Sequence, residues 1–421
     1  MTSAEISNAL QNAVEIIPRR LYWMTLNVPR QSTNRIHYFS IDNELVYEPF
    51  FSDFGPLNLA MTYRFCKILE DKLSNPSLDN FRVVHFCAHD PKKRANAALL
   101  ICAYQVVAMG KTAEAAYMPF RDIYPPFLPF RDALMGMSTF QCTIKDCLEG
   151  LELGIRLRWF DWKTFDVDSY QFFEKVEHGD MNWIIPEKFL AFAGPFPTST
   201  DPDGYPALTP EDYVPIFRDG GIQLVIRLNK KQYDRRRFID HGIKHVDLYF
   251  LDGTCPSKDI INKFMHITES EPGGVAVHCK AGLGRTCTLI GLYAMKHYQF
   301  PARPWIGWNR LCRPGSILGP QQQFLVDMQQ EMWQLGEAMR SIRPGLGMPD
   351  AVEGVTKGVA GLQIRGRGDA RREDEKTEDI GQGERLIAAR RTNGGGINEQ
   401  GQTNGAATKR SLQGMFNHGQ R

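Results

Sequence analysis

The stretch Val275-Ala-Val-His-Cys-Lys-Ala-Gly-Leu-Gly-Arg-Thr286 decides the fold around which this chain is organised. It predicts an apolar strand that ends at His278, a loop with two glycines, and a helix that begins near Arg285. Such a loop directs successive backbone N–H groups into one space, and the helix adds the positive end of its dipole. The pattern therefore predicts a seat for a tetrahedral dianion, with the thiol of Cys279 inside it. This combination is typical of phosphate-ester cleavage through a cysteinyl-phosphate.

The separation of Cys279 and Arg285 is meaningful because of its surroundings. The chain has nine cysteines, so one arginine six positions after a cysteine could occur by chance, although no other cysteine here has one. The histidine before the thiol, the two loop glycines and Thr286 after the arginine make the pattern specific. We therefore interpret the stretch as a catalytic loop.

Length and composition limit the class of protein. A chain of 421 residues with 43% hydrophobic and 11% aromatic residues has room for two domains with large cores. The net charge of +2 gives no reason to expect nucleic acid as a partner. No signal peptide and no bilayer-spanning apolar run is visible, and the scattered cysteines predict reduced thiols in the cytosol or nucleus. No Cys/His spacing is typical of zinc, so we expect neither a metal nor another cofactor. The oligomeric state stays open.

Alternating strand and helix patterns predict an α/β fold. One strand–turn–helix unit occurs twice, because Val84-His85 followed by Arg94 parallels Val277-His278 followed by Arg285. The earlier unit has two more residues between its histidine and arginine and lacks the loop glycines. We predict two tandem phosphatase-like domains, each a mixed sheet flanked by helices, of which the first cannot hold a phosphate. Chance similarity of two such units is the alternative.

Composition and pattern together predict four segments. Residues 1–163 form the degenerate, non-catalytic domain, 164–177 a linker helix, and 178–342 the catalytic domain. Residues 343–421 are rich in Gly, Arg, Gln, Glu and Asn, and their large apolar residues mostly occur singly. Such a segment buries too little surface to offset its ordering entropy, so we predict a disordered tail.

The catalytic loop suggests a role for each of its side chains. Cys279 is the nucleophile, since the loop N–H groups, the helix end and an arginine would all stabilise its thiolate. Arg285 can bind two phosphoryl oxygens bidentately. Thr286 can donate its hydroxyl to the departing sulfur, and His278 is interpreted as a brace for the loop. The predicted phosphate-binding residues are Lys280, Ala281, Gly282, Leu283, Gly284 and Arg285.

Serine and threonine alkoxides are poor leaving groups and need a proton donor. Asp252 is predicted to be this general acid, because it lies in a loop just after a predicted strand, whereas Asp247 is within the strand and Asp259 within the next helix. A turn-capping role before Gly253 is the alternative for Asp252. The amides that could orient the hydrolytic water, or instead cap a helix, are those of Gln321, Gln322 and Gln323.

The chain resembles the cell-division-cycle-fourteen family of mitotic-exit dual-specificity phosphatases from Pro18 to about Trp333. The segments that carry this resemblance are His278–Thr286, Asp252–Thr254, Cys312–Phe324, Gly179–Pro186, Ile226–Lys230 and Lys93–Ala97. The resemblance implies that only the second domain is catalytic, with Cys279 as nucleophile, Arg285 as phosphate-binding arginine and Asp252 as general acid.

The resemblance also implies a substrate and a setting. It implies phosphoprotein substrates with Ser-Pro or Thr-Pro sites and a basic residue further along, read by an acidic groove between the domains, with residual activity on phosphotyrosine. It further implies reversal of cyclin-dependent-kinase phosphorylation in cell division. The implied locations are the nucleus and the cytoplasm, and also the spindle and the centrosome or basal body. We expect no membrane insertion.

Two positions depart from the family pattern. Glu174 matches one of the groove acids, but Gln171 stands where the family often has a second acid, which leaves the strength of the basic-residue preference open. Cys287 stands where the family usually has glycine. It is interpreted as a buried helix thiol, and a protective disulfide with Cys279 is the alternative.

Two other functions compete with this reading. Inositol-lipid phosphatases have a similar loop but typically carry a second lysine where this chain has Leu283, so a basic pocket floor is missing. A catalytically dead phosphoprotein-binding scaffold would have lost the cysteine, arginine or aspartate, and none is lost in the second half. That description suits the first half of the chain.

Overall fold

A computed structural model describes residues 1–342, 381–394 and 412 of the chain. The first domain is built on four strands, β1 (Val14–Ile17), β2 (Leu21–Thr25), β3 (Ile36–Phe39) and β4 (Arg82–Cys87). Its helices are α1 (Ser3–Ala9), α2 (Leu59–Ser74), α3 (Pro91–Val107), α4 (Ala113–Tyr117) and α5 (Ile144–Arg156). A short helix, α6 (Val167–Phe173), leads to the second domain.

The second domain repeats this plan with one more strand. Its strands are β5 (Met181–Ile185), β6 (Phe189–Phe192), β7 (Ile222–Arg227), β8 (Lys244–Asp247) and β9 (Gly274–His278). Its helices are α7 (Pro210–Asp219), α8 (Arg236–Ile239), α9 (Lys258–Ser270), α10 (Gly284–Tyr298), α11 (Ala302–Cys312) and α12 (Pro320–Ile342). A further helix, α13 (Gln382–Gly394), lies within the segment predicted to be a disordered tail.

The four strands of the first sheet match four strands of the second, to which β8 adds an edge strand, and this match confirms the predicted tandem domains. The first has the order β1-β2-β4-β3 and the second β5-β6-β9-β7-β8. In each sheet the first two strands form an antiparallel pair, and the following neighbours run parallel. Strand β4, which carries His85, therefore occupies the same place as β9, which carries His278.

The central strand and helix of the second domain are buried on all sides. All five residues of β9 are buried between β6 and β7. A parallel strand covered on both faces is expected to be a continuous apolar run, which is how Val275-Ala-Val277 reads. Helix α10 is buried from Arg285 to Met295. The loop between these two elements is therefore held at both ends by the core.

The two domains share one hydrophobic core. Helices α5 and α11 pack closely enough that a Cβ atom on Gly307 would lie 2.6 Å from the carbonyl oxygen of Asp146. Next to this contact, Arg303 donates hydrogen bonds from Nε and Nη2 to the Asp146 carboxylate at 3.0 and 2.8 Å. The packed glycine and the ion pair fix the orientation of the first domain relative to the second.

The tail prediction can be compared with the structure only in part. Residues 382–394 are helical, and Leu386 and Ile387 in that helix are buried, so the predicted disorder is wrong for this piece. It is wrong because the two adjacent apolar side chains have partners on both domains. The rest of the tail prediction falls outside the described residues, apart from Leu412. Among the described residues, no helix combines the length and hydropathy needed to cross a bilayer.

We predict that Gly307→Ala lowers the free energy of unfolding. Helix propensity alone would raise it by about 0.5–1 kcal/mol, because alanine is the better helix former. The added methyl group would meet backbone atoms of Asp146 and Cys147, however, and overpacking of this kind costs about 1–3 kcal/mol. Urea unfolding of the full chain measures the sign, and an increase in stability would contradict the close approach of the two helices.

Candidate active site

The loop from Cys279 to Leu283 connects β9 to α10, and neighbouring backbone determines its shape. Gly282 has a φ of +66°, and a Cβ atom there would lie 2.0 Å from the carbonyl oxygen of Phe192 at the end of β6. No other residue type fits both conditions. Cys279 itself is only 3% exposed. The glycine spacing in the sequence therefore reflects contact with the adjacent parallel strand.

Arg313 holds the loop from behind, and the sequence reasoning did not single it out. Its guanidinium is fully buried and donates to the carbonyl oxygens of Gly282 at 2.8 Å and Ala281 at 3.0 Å. The N–H and C=O groups of a trans peptide point in opposite directions. Carbonyls that face Arg313 therefore turn the following loop N–H groups away from it, as an anion seat requires. A buried arginine in the Cys312-Arg-Pro-Gly segment was the available signal.

His278 braces the loop as interpreted. Burial holds the pKa of His278 well below its usual value, so the imidazole is neutral. Its Nδ1 lies 2.8 Å from the carbonyl oxygen of Cys279, and that oxygen can only accept, so Nδ1 carries the proton. The Tyr233 hydroxyl, 2.7 Å from Nε2, must then donate to it, and it accepts from Nε2 of His245 at 2.9 Å. This chain of hydrogen bonds fixes the end of β9.

Arg285 and Asp252 are brought together at the mouth of the loop. Arg285 is 1% exposed, and its Nη1 donates to the carbonyl oxygen of Phe250 at 2.9 Å. Its Nη2 lies 3.3 Å from Oδ1 of Asp252, which also accepts from the N–H of Gly253 at 3.0 Å. The predicted phosphate-binding arginine and the predicted general acid therefore share one site.

Asp247 and Asp259, the other two aspartates considered as a general acid, bond to other side chains. Asp247 accepts from Nε of Arg227 at 2.6 Å, and Asp259 accepts from Lys263 at 2.7 Å on the exposed side of α9. Of the three aspartates that the sequence offered, the structure therefore brings Asp252 to Arg285.

Thr286 and Gln321 complete the surroundings of the loop. Thr286 is fully buried, and within the described residues its hydroxyl has no hydrogen-bond partner. Gln321 is 1% exposed, and its Nε2 donates to the carbonyl oxygen of Thr254 at 3.1 Å. A Cβ atom on Gly284 would lie 2.7 Å from Oε1 of Gln321. The Gln321 amide thus lies between the aspartate loop and the start of α10.

The other two glutamines point elsewhere. Gln322 is buried between the domains, where its Nε2 donates to Asp132 at 3.0 Å and its Oε1 accepts from Arg310. Gln323 is exposed and bonds to Asp327 in its own helix. The sequence alone could not separate the three, and the structure selects Gln321 for the site.

The candidate groove residues lie where α6 meets the first domain. Glu174 accepts from Nδ2 of Asn58 at 3.0 Å, and burial raises the pKa of Glu174 to about 7 against the opposing charge of Arg390. Gln171 accepts from Arg64 on the outer side. Glu174 is thus held against the start of α2, and the Gln171 amide is bonded to Arg64.

Asp180 is a further buried acid whose charge acts on Glu174, and the sequence did not single it out. It is 3% exposed and lies 2.8 Å from Nη2 of Arg313, and it also contacts Arg390. Burial by itself would raise its pKa, but the charges of Arg313 and Arg390 outweigh burial and lower the pKa of Asp180. The Gly179-Asp180 pair in the resembling segment was the available signal.

Cys287 is a buried helix thiol, as interpreted from the sequence. All nine cysteines are free, and Cys287 is fully buried with its Sγ 3.5 Å from the Ser316 hydroxyl. Burial raises the pKa of Cys287 to about 12.

In the first domain only three residues separate β4 from α3, and the Asp90 carboxylate accepts from the N–H groups of Lys92 and Lys93. A carboxylate therefore occupies the helix start where a phosphate would bind.

Comparisons with known proteins agree with this architecture. The family model described as "Dual specificity protein phosphatase, N-terminal half" matches residues 15–154, and "Polymorphic toxin system, DSP-PTPase phosphatase" matches residues 204–299. Dual specificity protein phosphatase CDC14A of Mus musculus is 48% identical over 377 residues, which is 89% of this chain and 62% of that protein. Human CDC14A is 52% identical over 80% of this chain and 57% of that protein.

A shorter relative is matched over more of its length. Human CDC14C is 45% identical over 329 residues, which is 78% of this chain and 73% of that protein. The chain thus spans less than two thirds of the CDC14A relatives and more than two thirds of the shorter protein. The chain belongs to the family of CDC14 dual-specificity phosphatases.

Proposed function

We propose that the chain is a cysteine-based protein phosphatase that hydrolyses phosphoserine and phosphothreonine, with residual activity on phosphotyrosine. The observation that carries the proposal is the meeting of three groups: the buried Cys279 in its loop, Arg285 in the first turn of α10, and Asp252 at 3.3 Å from Arg285. Together they supply a nucleophile, a phosphate-binding cation and a proton donor for an alkoxide leaving group.

The reaction proceeds in two displacements at phosphorus. In the first, Sγ of Cys279 forms a bond to phosphorus, the P–O bond to the substrate breaks, and Asp252 transfers its proton to the leaving oxygen. In the second, water attacks the phosphocysteine, Asp252 takes a proton from that water, and the S–P bond breaks. Gln321 orients the water, and Thr286 donates its hydroxyl to the departing sulfur.

The substrates that we propose are phosphoproteins with Ser-Pro or Thr-Pro sites and a basic residue further along. Family membership supports this assignment, and so does the presence of Glu174 and Asp180 near the loop, since both can attract a cation. The same membership supports reversal of cyclin-dependent-kinase phosphorylation and a location in nucleus and cytoplasm, with spindle and centrosome as further addresses. Leu283 is 1% exposed and packs among apolar side chains, which disfavours an inositol-lipid headgroup.

We predict that Cys279→Ser lowers kcat on a phosphoserine–proline peptide by about 10⁴-fold or more, because no intermediate can form on the weaker nucleophile. Binding of the peptide, measured by calorimetry, should persist. Cys255→Ser is the matched control, since it changes a partly exposed thiol outside the loop and should retain activity. Normal turnover by Cys279→Ser would contradict the mechanism.

We predict that Asp252→Asn separates substrates by their leaving group. Hydrolysis of a phosphoserine peptide should fall by about 10²-fold or more, because its alkoxide must be protonated. Hydrolysis of p-nitrophenyl phosphate should fall far less, because nitrophenolate leaves without a proton. Asp259→Asn on the exposed face of α9 is the control and should change neither rate. Equal losses on both substrates would contradict the role of Asp252 as a general acid.

We predict that preference for a downstream lysine depends on pH through Glu174. The pKa of Glu174 is about 7, so its carboxylate is mostly charged at pH 8 and mostly neutral at pH 6. The ratio of kcat/KM for lysine-containing and alanine-containing peptides should therefore fall as the pH is lowered. In Glu174→Gln the ratio should be small and nearly constant with pH. A wild-type ratio that is flat between pH 6 and 8 would contradict this.

A further inference from the structure

Asp132 of the first domain caps the start of helix α12 in the second domain. Asp132 is 2% exposed, and its Oδ2 accepts from the N–H of Gly319 at 2.7 Å and from Nε2 of Gln322 at 3.0 Å. Gly319 precedes Pro320, the first residue of α12. An N–H at this position has no acceptor within the helix, and a carboxylate there is also favoured by the helix dipole. The first turn of α12 is therefore capped from the other domain.

Gln321 lies between the two residues that Asp132 binds. Its Nε2 donates to the carbonyl oxygen of Thr254 at 3.1 Å, and its Oε1 accepts from the N–H of Leu318 at 3.4 Å. Both ends of the amide are thus engaged, and the chain is tied to Asp132 both before and after Gln321. The direction in which this amide points is therefore fixed together with the contacts of Asp132.

The segment that carries Asp132 is itself held in place. Phe130 donates its N–H to the carbonyl oxygen of Cys142 at 2.7 Å, and Arg131 donates its N–H to that of Phe54 at 3.0 Å. These two bonds belong to antiparallel bridges formed by the two residues just before Asp132. A side chain can position another group precisely only if it is itself supported by its surroundings. Asp132 meets this condition.

The same segment also packs beside the catalytic loop. Ala133 belongs to one apolar cluster with Ala281 and Leu283 of the loop and with Leu318, which leads into α12. Ala133 is 1% exposed, so the two domains meet without a gap at this place. The first domain thus reaches the candidate site through a carboxylate and through an adjacent apolar side chain.

We propose that Asp132 is a positioning residue for the second half of the reaction, in which it holds Gln321 where the amide orients the attacking water. This role rests on the proposed function, since it requires the phosphocysteine intermediate. In that step the water oxygen forms a bond to phosphorus, Asp252 takes a proton from the water, and the S–P bond breaks with its electron pair on Sγ of Cys279. Asp132 acts only through the start of α12.

The first half of the reaction should depend much less on Asp132. No water takes part in the attack of Cys279 on the phosphate, and the loop is shaped by Arg313 and by Gly282. Loss of the Asp132 acceptor would leave the N–H of Gly319 unpaired, and Gly319 has a φ of +53°, a region in which glycine is free to shift. Misplacement by about 1 Å of a group that orients a reactant can cost up to about 10²-fold in rate.

The test uses two variants of nearly equal shape. Asp132→Leu fills the same space without an acceptor, whereas Asp132→Asn keeps one oxygen that can accept from both Gly319 and Gln322, as Oδ2 does. With p-nitrophenyl phosphate, stopped-flow measurement separates the burst of nitrophenolate, which reports formation of the phosphocysteine, from steady-state turnover, which reports its hydrolysis. We expect Asp132→Leu to keep the burst rate constant within about twofold and to slow turnover about 10-fold.

The steady-state constants give a second, independent readout. In Asp132→Leu, kcat and KM should fall together, because kcat/KM depends only on the steps that lead to the phosphocysteine. In Asp132→Asn both phases should stay within about twofold of the unaltered chain. A merely structural role would instead lower the burst and the turnover together, in proportion to the fraction of folded enzyme.

Two controls connect the effect to Gln321. In a double-mutant cycle, Asp132→Leu should change the slow turnover of Gln321→Ala by no more than about twofold, since it acts through that amide. Asp146→Asn alters another bond between the domains, that to Arg303, and should slow neither phase. If Asp132→Leu does not fold, Asp132→Ser, whose hydroxyl can accept one of the two bonds, should slow turnover about threefold with an unchanged burst.

Three results would overturn the positioning role: equal slowing of both phases in Asp132→Leu, unchanged turnover of that variant, or independent effects of Asp132→Leu and Gln321→Ala. Absence of a phosphoenzyme from the acid-quenched unaltered chain would overturn the proposed function, and the role of Asp132 with it. If a phosphoserine–proline peptide is not hydrolysed while p-nitrophenyl phosphate shows the expected asymmetry, the positioning role stands and the proposed substrate fails.

Discussion

The buried ion pair between Arg313 and Asp180 is the interaction on which the rest of the site depends. Arg313 reaches the loop carbonyls of Ala281 and Gly282, the side chain of Asn182 on β5, and Asp180 just before that strand. A buried guanidinium is costly unless its charge is paired and its donors are bonded, and removing one partner of such a pair costs about 3–5 kcal/mol. Since the Arg313 guanidinium binds all these partners at once, the loop is held with its carbonyls turned back and its N–H groups turned outward.

The same pair connects the loop to the groove between the domains. Asp180 faces Arg313 on one side and the groove on the other, where Arg390 binds it. The charge that stabilises the loop scaffold therefore also pairs with a basic side chain in the groove, that of Arg390. Glu174 differs, because burial raises its pKa to about 7 and its charge responds to pH near neutrality. The lowered pKa of Asp180 favours its charged form, whereas the charge of Glu174 depends on pH near neutrality.

The two domains differ mainly in the loop that precedes one helix, α3 in the first domain and α10 in the second. The first sheet matches four strands of the second in their order, yet α3 begins with a carboxylate from Asp90 at its N-terminus, and α10 begins at the glycine of a longer loop. The first domain instead contributes Asn58 to the groove and Asp132 to the contact with Gln322 and the N–H of Gly319. Asp90 caps α3 and Pro91 is its first residue, which are residue types that favour a helix start.

The sequence by itself determined the tandem fold and the position of the Cys279–Arg285 loop within it. Cys279, Arg285 and Thr286 lie in one short segment, and a strand, a glycine turn and a helix start are local structures that neighbouring residues specify. Only the tertiary structure decided the role of Arg313, the choice of Gln321 among three glutamines, and the contacts of residues 381–394. Those groups are far apart along the chain, and they come together only because burial of Leu386, Ile387 and the core between the domains offsets the entropy of ordering them.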